Sequence, residues 1–274
     1  KPPANSQASL QTVREYLDMG HDAQKISSLS DLSLSAVEAN IQLIRNADST
    51  LRVFQEESAH FRCSLNKGLL IEPVQGSDGN IYEKQSIQAW CQSSKISPVS
   101  GEPLSDKFVE IKFLKPQIAT FVKRTIGKLT DLFVSISHSE EAYKALTECI
   151  LVLDPKAEFN IIHDAVSVLS LSRFSEFLEL VRQRVPNSFL FVQDLVRSCC
   201  PTSVLAVGYL HIMQHYQDKF NRDQVFESFL ANLRHLECEE ALKLSFEIAA
   251  LCGISELSKL VGYFTKLDLP DKWR

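Results

Sequence analysis

The segment from residue 61 to residue 104 places the strongest constraint on the fold, because its apolar runs are short and irregularly broken. They are broken by Gly76, Gly79, Pro98 and Pro103, among others. Breaks of this kind predict loops around a small sheet. One helix is predicted inside the segment, from Glu83 to Cys91, and a closing helix is predicted after it with Pro116 in its first turn.

Six short motifs follow one another in this segment. They are Phe61-Arg62-Cys63-Ser64-Leu65, Glu72-Pro73-Val74, Gly79-Asn80-Ile81-Tyr82-Glu83-Lys84, Ile87-Gln88-Ala89-Trp90, Ser97-Pro98-Val99-Ser100 and Pro103-Leu104. Their order and spacing resemble a U-box, which is the zinc-free relative of the RING finger. The resemblance implies a small α+β domain at residues 59–125, and it implies one principal task, which is to dock a ubiquitin-conjugating enzyme (E2).

Metal ligands are too few here for the two zinc ions that hold the loops of a RING finger. Cys63 and Cys91 lie within the segment and His60 just before it, whereas two tetrahedral zinc sites need four ligands each. The sequence therefore predicts no metal and no cofactor. Hydrogen bonds and ion pairs must hold the loops instead, and a buried network of this kind has to be fully paired. We expect most of the following side chains to have partners: Ser77, Asp78, Glu83, Lys84, Ser100 and Glu102.

The resemblance also implies which residues meet the conjugating enzyme. In the family, an aliphatic residue of the first loop, a residue of the central helix and a proline of the second loop form a shallow apolar groove. These positions fall on Leu65, Trp90 and Pro98. An exposed aliphatic side chain, an aromatic ring and a proline are typical of a protein-binding hot spot. Leu65 and Trp90 taken singly fit a hydrophobic core better, but the three together at the family's spacing favour the groove.

Three positions depart from the family's pattern. Ser64 stands where proline is usual, and Ile111-Lys112 stands where a Pro-Asn step precedes the last helix. In many active U-boxes a cationic or amide residue follows the second-loop proline and favours the reactive arrangement of ubiquitin. The matching position is Gly101, which has no side chain. This last departure favours an alternative interpretation, in which the chain is a non-catalytic scaffold that retains the U-box shape.

The function implied by the resemblance is that of an E3 ubiquitin-protein ligase, which binds a ubiquitin-charged conjugating enzyme through the U-box and a protein substrate or partner through helical regions. A ligase of this type contributes proximity and orientation and forms no covalent intermediate. We therefore predict no catalytic residue in this chain. Transfer of ubiquitin onto Cys63 or Cys91 is disfavoured, because both fall at core positions of the family and no histidine is evidently placed beside either as a base.

The N-terminal region, residues 1–58, is predicted to be helical. Leu10, Val13 and Leu17 predict a short helix that ends at Gly20, and Ser33 or Ser35 is a candidate cap for a long amphipathic helix. A helix-turn-helix is one interpretation, although its second helix would offer few polar side chains to DNA. Packing on neighbouring helices, or pairing of two chains in a homodimer, is the other.

The C-terminal region, residues 126–274, has a helical apolar period throughout its length. The helices pair at intervals typical of HEAT-, armadillo- or tetratricopeptide-like repeats, which predicts a solenoid, with an irregular helical bundle as the alternative. The fold class is thus mainly α, with N-terminal helices, a small α+β U-box and a C-terminal helical-repeat domain. His211 and His215 are spaced to share one helix face, and Asp218 is the one acid near them, so a solvated face is preferred to a metal site.

The composition of the chain bears on its partners, its compartment and its relation to membranes. A net charge of −5 and a pI near 5.8 disfavour nucleic acid as the main partner. The seven cysteines, an odd number without CxxC pairs, predict reduced thiols in a cytoplasmic or nuclear protein. Since no apolar run reaches the roughly 18 residues needed to span a bilayer, no membrane association is expected.

Overall fold

The structure is a computed structural model that describes residues 4–136, 139–185, 187–216, 218–233, 235–236 and 238–264. The described residues are mainly helical with one small sheet, so the predicted fold class is confirmed. The chain divides into two compact units, Lys1–Leu153 and Asp154–Arg274, and each is described by itself. Within the described residues, no helix has the length and apolar character needed to cross a membrane.

Three helices begin the first unit: α1 (Ala4–Asp18), α2 (Ala23–Leu29) and α3 (Leu34–Ser58). Asp22 and Ser33 cap α2 and α3, each accepting a backbone N–H of the first turn. Gly20 follows α1 in the left-handed conformation, with φ at +82°. The first half of α3 buries its apolar face against α1 and α2, in a core made by Val13, Ile26, Val37, Ile41 and Ile44. The helices thus pack on one another, whereas DNA binding by a helix-turn-helix and pairing of two chains stay predictions.

The next segment begins with a turn of 3₁₀ helix at Ala59–Phe61 and contains a three-stranded antiparallel sheet. Its elements are β1 (Pro73–Gln75), β2 (Ile81–Glu83), α4 (Lys84–Ser93), β3 (Val109–Glu110) and α5 (Leu114–Ser135). The strand order is β2-β1-β3, and Val74 lies opposite both Tyr82 and Glu110. The two helices predicted from the sequence are present, and Pro116 lies in the first turn of α5, where its missing N–H costs nothing.

Helix α5 packs against α3 and against α6 (Glu140–Val152). The ring of Phe121 lies 5.8 Å from that of Phe54 and 5.4 Å from that of Phe61, so one aromatic cluster joins α3, α5 and the 3₁₀ turn. Helix α5 continues across residues 125 and 126, where the sequence places a boundary between domains. The division into domains 1–58, 59–125 and 126–274 stays a prediction.

The second unit is helical, as predicted. Its helices are α7 (Phe159–Ser167), α8 (Leu171–Arg184), α9 (Ser188–Asp194), which continues into a π-helical turn (Leu195–Cys199), α10 (Thr202–His215), α11 (Arg222–Leu233), α12 (Cys238–Ala249) and α13 (Ile254–Phe264). The closest packing joins helices one or two apart along the chain, for example α10 with α8 and α11. Such pairing is compatible with a helical repeat, and a regular solenoid stays a prediction.

One expectation about this unit is wrong. His215 is exposed, but His211 is buried at 5% relative exposure, so the pair does not share a solvated face. The reason is the position of α10, which packs against α8 and α11 and has little free surface.

Candidate functional site

The first loop, residues 62–72, is organised around the sulfur of Cys63. This sulfur accepts the backbone N–H of Leu65 at 3.4 Å and that of Glu83 at 3.1 Å. The backbone N–H of Ser64 donates to the carbonyl oxygen of Ile81 at 2.9 Å. The thiol thus binds backbone amides, and it joins the loop to β2.

A buried carboxylate closes the same loop. Glu83 is 3% exposed, and its Oε2 accepts the backbone N–H groups of Ile71 at 2.7 Å and Glu72 at 3.1 Å. Carboxylate bonds of this type are stronger than those between neutral groups. The end of the first loop is therefore fixed to the end of β2, directly before α4.

A second carboxylate joins the hairpin between β1 and β2 to the second loop, residues 94–104. Asp78 Oδ2 accepts the hydroxyl of Tyr82 at 2.6 Å, the hydroxyl of Ser97 at 2.5 Å and the Asn80 side-chain amide at 2.9 Å. Tyr82 is fully buried and Ser97 is 3% exposed. A cluster of polar side chains therefore ties the hairpin to the second loop.

The network shifts the acidity of two of its members. Partial burial by itself would raise the pKa of Asp78, but hydrogen bonds from Ser97, Tyr82 and Asn80 outweigh it and lower the pKa to about 2. Burial, reinforced by the bond to Asp78, raises the pKa of Tyr82 to about 12. Asp78 is consequently ionised and Tyr82 neutral over the whole physiological range.

Most of the polar side chains named from the sequence do have partners. Beyond Asp78 and Glu83, Lys84 Nζ lies 3.3 Å from Glu110 Oε1, Ser77 Oγ accepts the N–H of Ser105 at 3.0 Å, and Ser100 Oγ accepts the N–H of Glu102 at 3.4 Å. Glu102 takes part through its backbone. The sequence interpretation missed that Ser97 and Cys63 accept backbone N–H groups. For Tyr82, whose hydroxyl donates to Asp78, the available signal was its position four residues after Asp78.

The three predicted groove residues lie on three neighbouring elements, and each is half-buried. Leu65 lies in the first loop, Trp90 on α4 and Pro98 in the second loop. The indole N–H of Trp90 donates to the carbonyl oxygen of Ile96 at 2.8 Å, which ties the second loop to α4. Two hydrophobic side chains flank Pro98 and are about half exposed: Ile96 at 54% and Val99 at 50%.

The first loop is tied to the same face of α4. The Asn66 side-chain amide donates to Ser86 Oγ at 2.9 Å. Ser86 and Trp90 are four residues apart on the helix and hence lie on one face. The two contacts together hold the loops that carry Leu65 and Pro98 beside the Trp90 face of α4.

Gly101 occupies a position where only glycine fits without strain. Its φ is +75°, and a Cβ built there has no atom within 4 Å. Glycine therefore suits the left-handed backbone conformation of the second loop at this position. A side chain added there would meet no steric clash, because the surrounding space is open.

The two thiols of this segment are inaccessible. Cys63 is fully buried and Cys91 is 6% exposed, and burial raises the pKa of Cys91. Among the residues that the structure describes, no group of three or more His, Cys, Asp or Glu side chains is arranged to hold a metal ion.

Two loops held on one face of a central helix, with carboxylate networks in place of metal, define a zinc-free RING-like domain. The family model described as "U-box domain" matches residues 58–125. Residues 58–125 are therefore a U-box domain, as the sequence motifs predicted.

Curated relatives are similar to part of the chain. U-box domain-containing protein 52 of Arabidopsis thaliana is 32% identical over 80 residues, which are 29% of this chain and 10% of the relative. The probable bifunctional E2/E3 enzyme R795 of Acanthamoeba polyphaga mimivirus is 33% identical over 61 residues, which are 22% of this chain and 5% of that protein. The chain thus spans a tenth or less of these relatives. No solved structure matches the chain significantly.

Proposed function

We propose that the chain acts as an E3 ubiquitin-protein ligase whose U-box docks a ubiquitin-charged conjugating enzyme. The observation that carries this proposal is the U-box match at residues 58–125, in a domain whose two loops are both tied to the Trp90 face of α4. The ligase contribution is to position the thioester-linked ubiquitin and restrict its motion. No nucleophile of this chain takes part.

Leu65, Trp90 and Pro98 form the docking groove in this proposal. Their half-buried state supports it, because a hot-spot side chain needs both a fixed orientation and a surface left for the partner. The indole N–H of Trp90 donates to the carbonyl oxygen of Ile96. An apolar side chain of a partner can therefore cover the ring without leaving a hydrogen-bond donor unpaired. Ile96 and Val99 extend the same surface.

The helical regions outside the U-box are proposed to bind the protein substrate or another partner. Homodimers and a cytoplasmic or nuclear location belong to the same proposal. The described cysteines are free, and four of them, namely Cys63, Cys91, Cys149 and Cys199, are buried, which fits a reducing compartment.

The proposal is tested by ubiquitin discharge from a panel of charged conjugating enzymes onto free lysine, with and without the chain. We expect acceleration with at least one enzyme and its loss in Leu65→Ala. Leu43→Ala is the matched control, because Leu43 lies on α3 and is 40% exposed, away from the U-box. Thermal unfolding verifies that both variants are folded. Acceleration that Leu65→Ala leaves intact would contradict the groove, and none with any enzyme would contradict the ligase.

A second candidate function is that of a non-catalytic scaffold, and Gly101 is the observation that favours it. With glycine at this position, the second loop has no cationic or amide side chain there to contact ubiquitin. A scaffold would bind conjugating enzymes in a titration, with binding weakened by Leu65→Ala, and yet would leave the rate of discharge unchanged.

A further inference from the structure

Arg62 connects the first loop of the U-box to three neighbouring groups on the helices. Its Nη1 donates to the carbonyl oxygen of Lys67 at 2.8 Å and to Glu148 Oε2 at 3.1 Å. Its Nε donates to Ser58 Oγ at 2.9 Å, and the guanidinium lies over the ring of Phe54, 5.5 Å from its centroid. Because Nη1 carries two N–H bonds, it can satisfy both of its acceptors at once.

The loop at Lys67 needs such support. Lys67 has φ at 60°, in the left-handed region that residues other than glycine rarely adopt, and such a conformation persists only where the surroundings hold it. Here the N–H of Lys67 donates to the carbonyl oxygen of Cys63 at 3.0 Å, and its Nζ donates to that of Ser64 at 2.9 Å. Arg62 binds the carbonyl oxygen of Lys67, on the other side of the residue. Leu65 lies within the same turn, so these contacts also set its backbone.

The ion pair that fixes Arg62 is shielded from water. The side chains of Arg62 and Glu148 are 21% and 17% exposed, compared with 67% and 49% for the pair of Arg124 and Glu57. A shielded pair constrains its members more than an exposed one, since loss of one partner leaves the other charge without compensation. Glu148 is 86 residues away from Arg62, on α6 and beyond the matched U-box segment.

We propose that Arg62, held by Glu148, is a positioning residue that keeps the Leu65 turn ready for the conjugating enzyme. Helix α6 then supports the docking site through Glu148, although the helix lies outside residues 58–125. The proposal rests on the proposed function, in which Leu65 contacts that enzyme. It predicts that a change on α6 alters docking without touching the groove.

The test uses Glu148→Gln in the full chain, which removes the charge and keeps the size of the side chain. We expect the apparent KM for the charged conjugating enzyme to rise about fivefold with kcat nearly unchanged, because a misplaced turn weakens docking. Arg62→Lys should raise the same KM, and the double variant Arg62→Lys, Glu148→Gln should show no further rise, since Glu148 acts through Arg62. Glu57→Gln, which breaks the exposed pair with Arg124, is the matched control. Additive effects of Glu148→Gln and Arg62→Lys would overturn the proposal.

Amide hydrogen exchange gives a readout that does not depend on ligase activity. Exchange at residues 64–68 should become about tenfold faster in Glu148→Gln and stay unchanged in Glu57→Gln. Unchanged exchange in both variants would overturn the positioning role even in an active ligase. If the chain accelerates no discharge, the proposed function fails, and the exchange result alone decides whether Arg62 sets the loop. Should Glu148→Gln unfold, Arg62→Lys replaces it in both measurements, because lysine keeps the charge and loses the fork.

Discussion

Asp78 and Ser97 join the hairpin and the second loop of the U-box directly, with the Ser97 hydroxyl donating to Asp78 Oδ2 at 2.5 Å across 19 residues of chain. Ser97 Oγ in turn accepts the backbone N–H groups of Val99 at 3.1 Å and Ser100 at 3.0 Å. The pair therefore links two loops through one central group, which is the task that a shared metal ion performs in a RING finger.

Removal of the Ser97 hydroxyl should destabilise the first unit. Ser97→Ala takes a donor from Asp78 and leaves two backbone N–H groups without their acceptor, so the free energy of unfolding should fall by about 2 kcal/mol. Urea unfolding followed by circular dichroism measures it. Ser100→Ala, at an exposed position in the same loop, should cost less than about 0.5 kcal/mol. Equal losses of unfolding free energy in the two variants would show that the Asp78–Ser97 contact stabilises the fold no more than the exposed Ser100 does.

The stabilisation that Asp78 provides should depend on pH. Its folded-state pKa of about 2 lies below the value of about 3.9 in an unfolded chain. The contribution is therefore complete above the unfolded value and is lost as the pH falls through the folded one. The difference in unfolding free energy between the wild type and Asp78→Asn should shrink steadily between about pH 5 and pH 2. A difference that stays constant over this range would contradict the assignment, and Asp131→Asn, at an exposed site on α5, serves as control.

Trp90 should report directly on docking. The chain has two tryptophans, and the other, Trp273, lies outside the described residues, so Trp273→Phe leaves Trp90 as the single emitter. Burial of a half-exposed indole by an apolar partner shifts its emission to shorter wavelength. We expect that shift on titration with a conjugating enzyme, and its loss in a Trp273→Phe, Leu65→Ala double variant. A shift that survives in the double variant would mean that Leu65 is not part of the contact.

Gly101→Arg should separate the ligase from the scaffold. A side chain at this left-handed position costs about 1 kcal/mol of stability, while the space around the built Cβ is open. Gly101→Ala imposes the same strain without a guanidinium and is the matched control. We expect both variants to lose similar stability and only Gly101→Arg to discharge ubiquitin faster than the wild type. No gain with Gly101→Arg, in a variant shown to bind the conjugating enzyme, would contradict a role for this position in transfer.

His211 should make the second unit sensitive to acid. Burial, followed by the nearby charge of His215, lowers the pKa of His211 to about 4, and its Nε2 has no hydrogen-bond partner among the described residues. Because the folded pKa lies below the unfolded value of about 6.5, stability is complete above that value and falls as the pH drops toward 4. Thermal unfolding between these limits should show a smaller decrease for His211→Phe than for the wild type. Parallel decreases would assign the pH dependence to another group.

Features that depend on neighbours in the chain followed from the sequence alone. The glycine after α1 and the place of Pro116 in α5 are each decided within one helical turn, where the backbone needs a positive φ or a dispensable N–H. The sequence likewise limited the cap of α3 to Ser33 or Ser35, and the structure has Ser33. The U-box motifs could also be identified from the sequence, because they follow one another in a fixed order within one short segment.

Only the tertiary structure decided which polar groups meet. A serine before a proline, an arginine before a cysteine and a histidine on a helix look alike in sequence whether they are solvated or buried. The structure gives Ser97 the carboxylate of Asp78, gives Arg62 the carboxylate of Glu148 from α6, and buries His211 between packed helices. The physical reason is that the strength of a polar contact depends on the partner and on the exclusion of water, and both are properties of the folded chain.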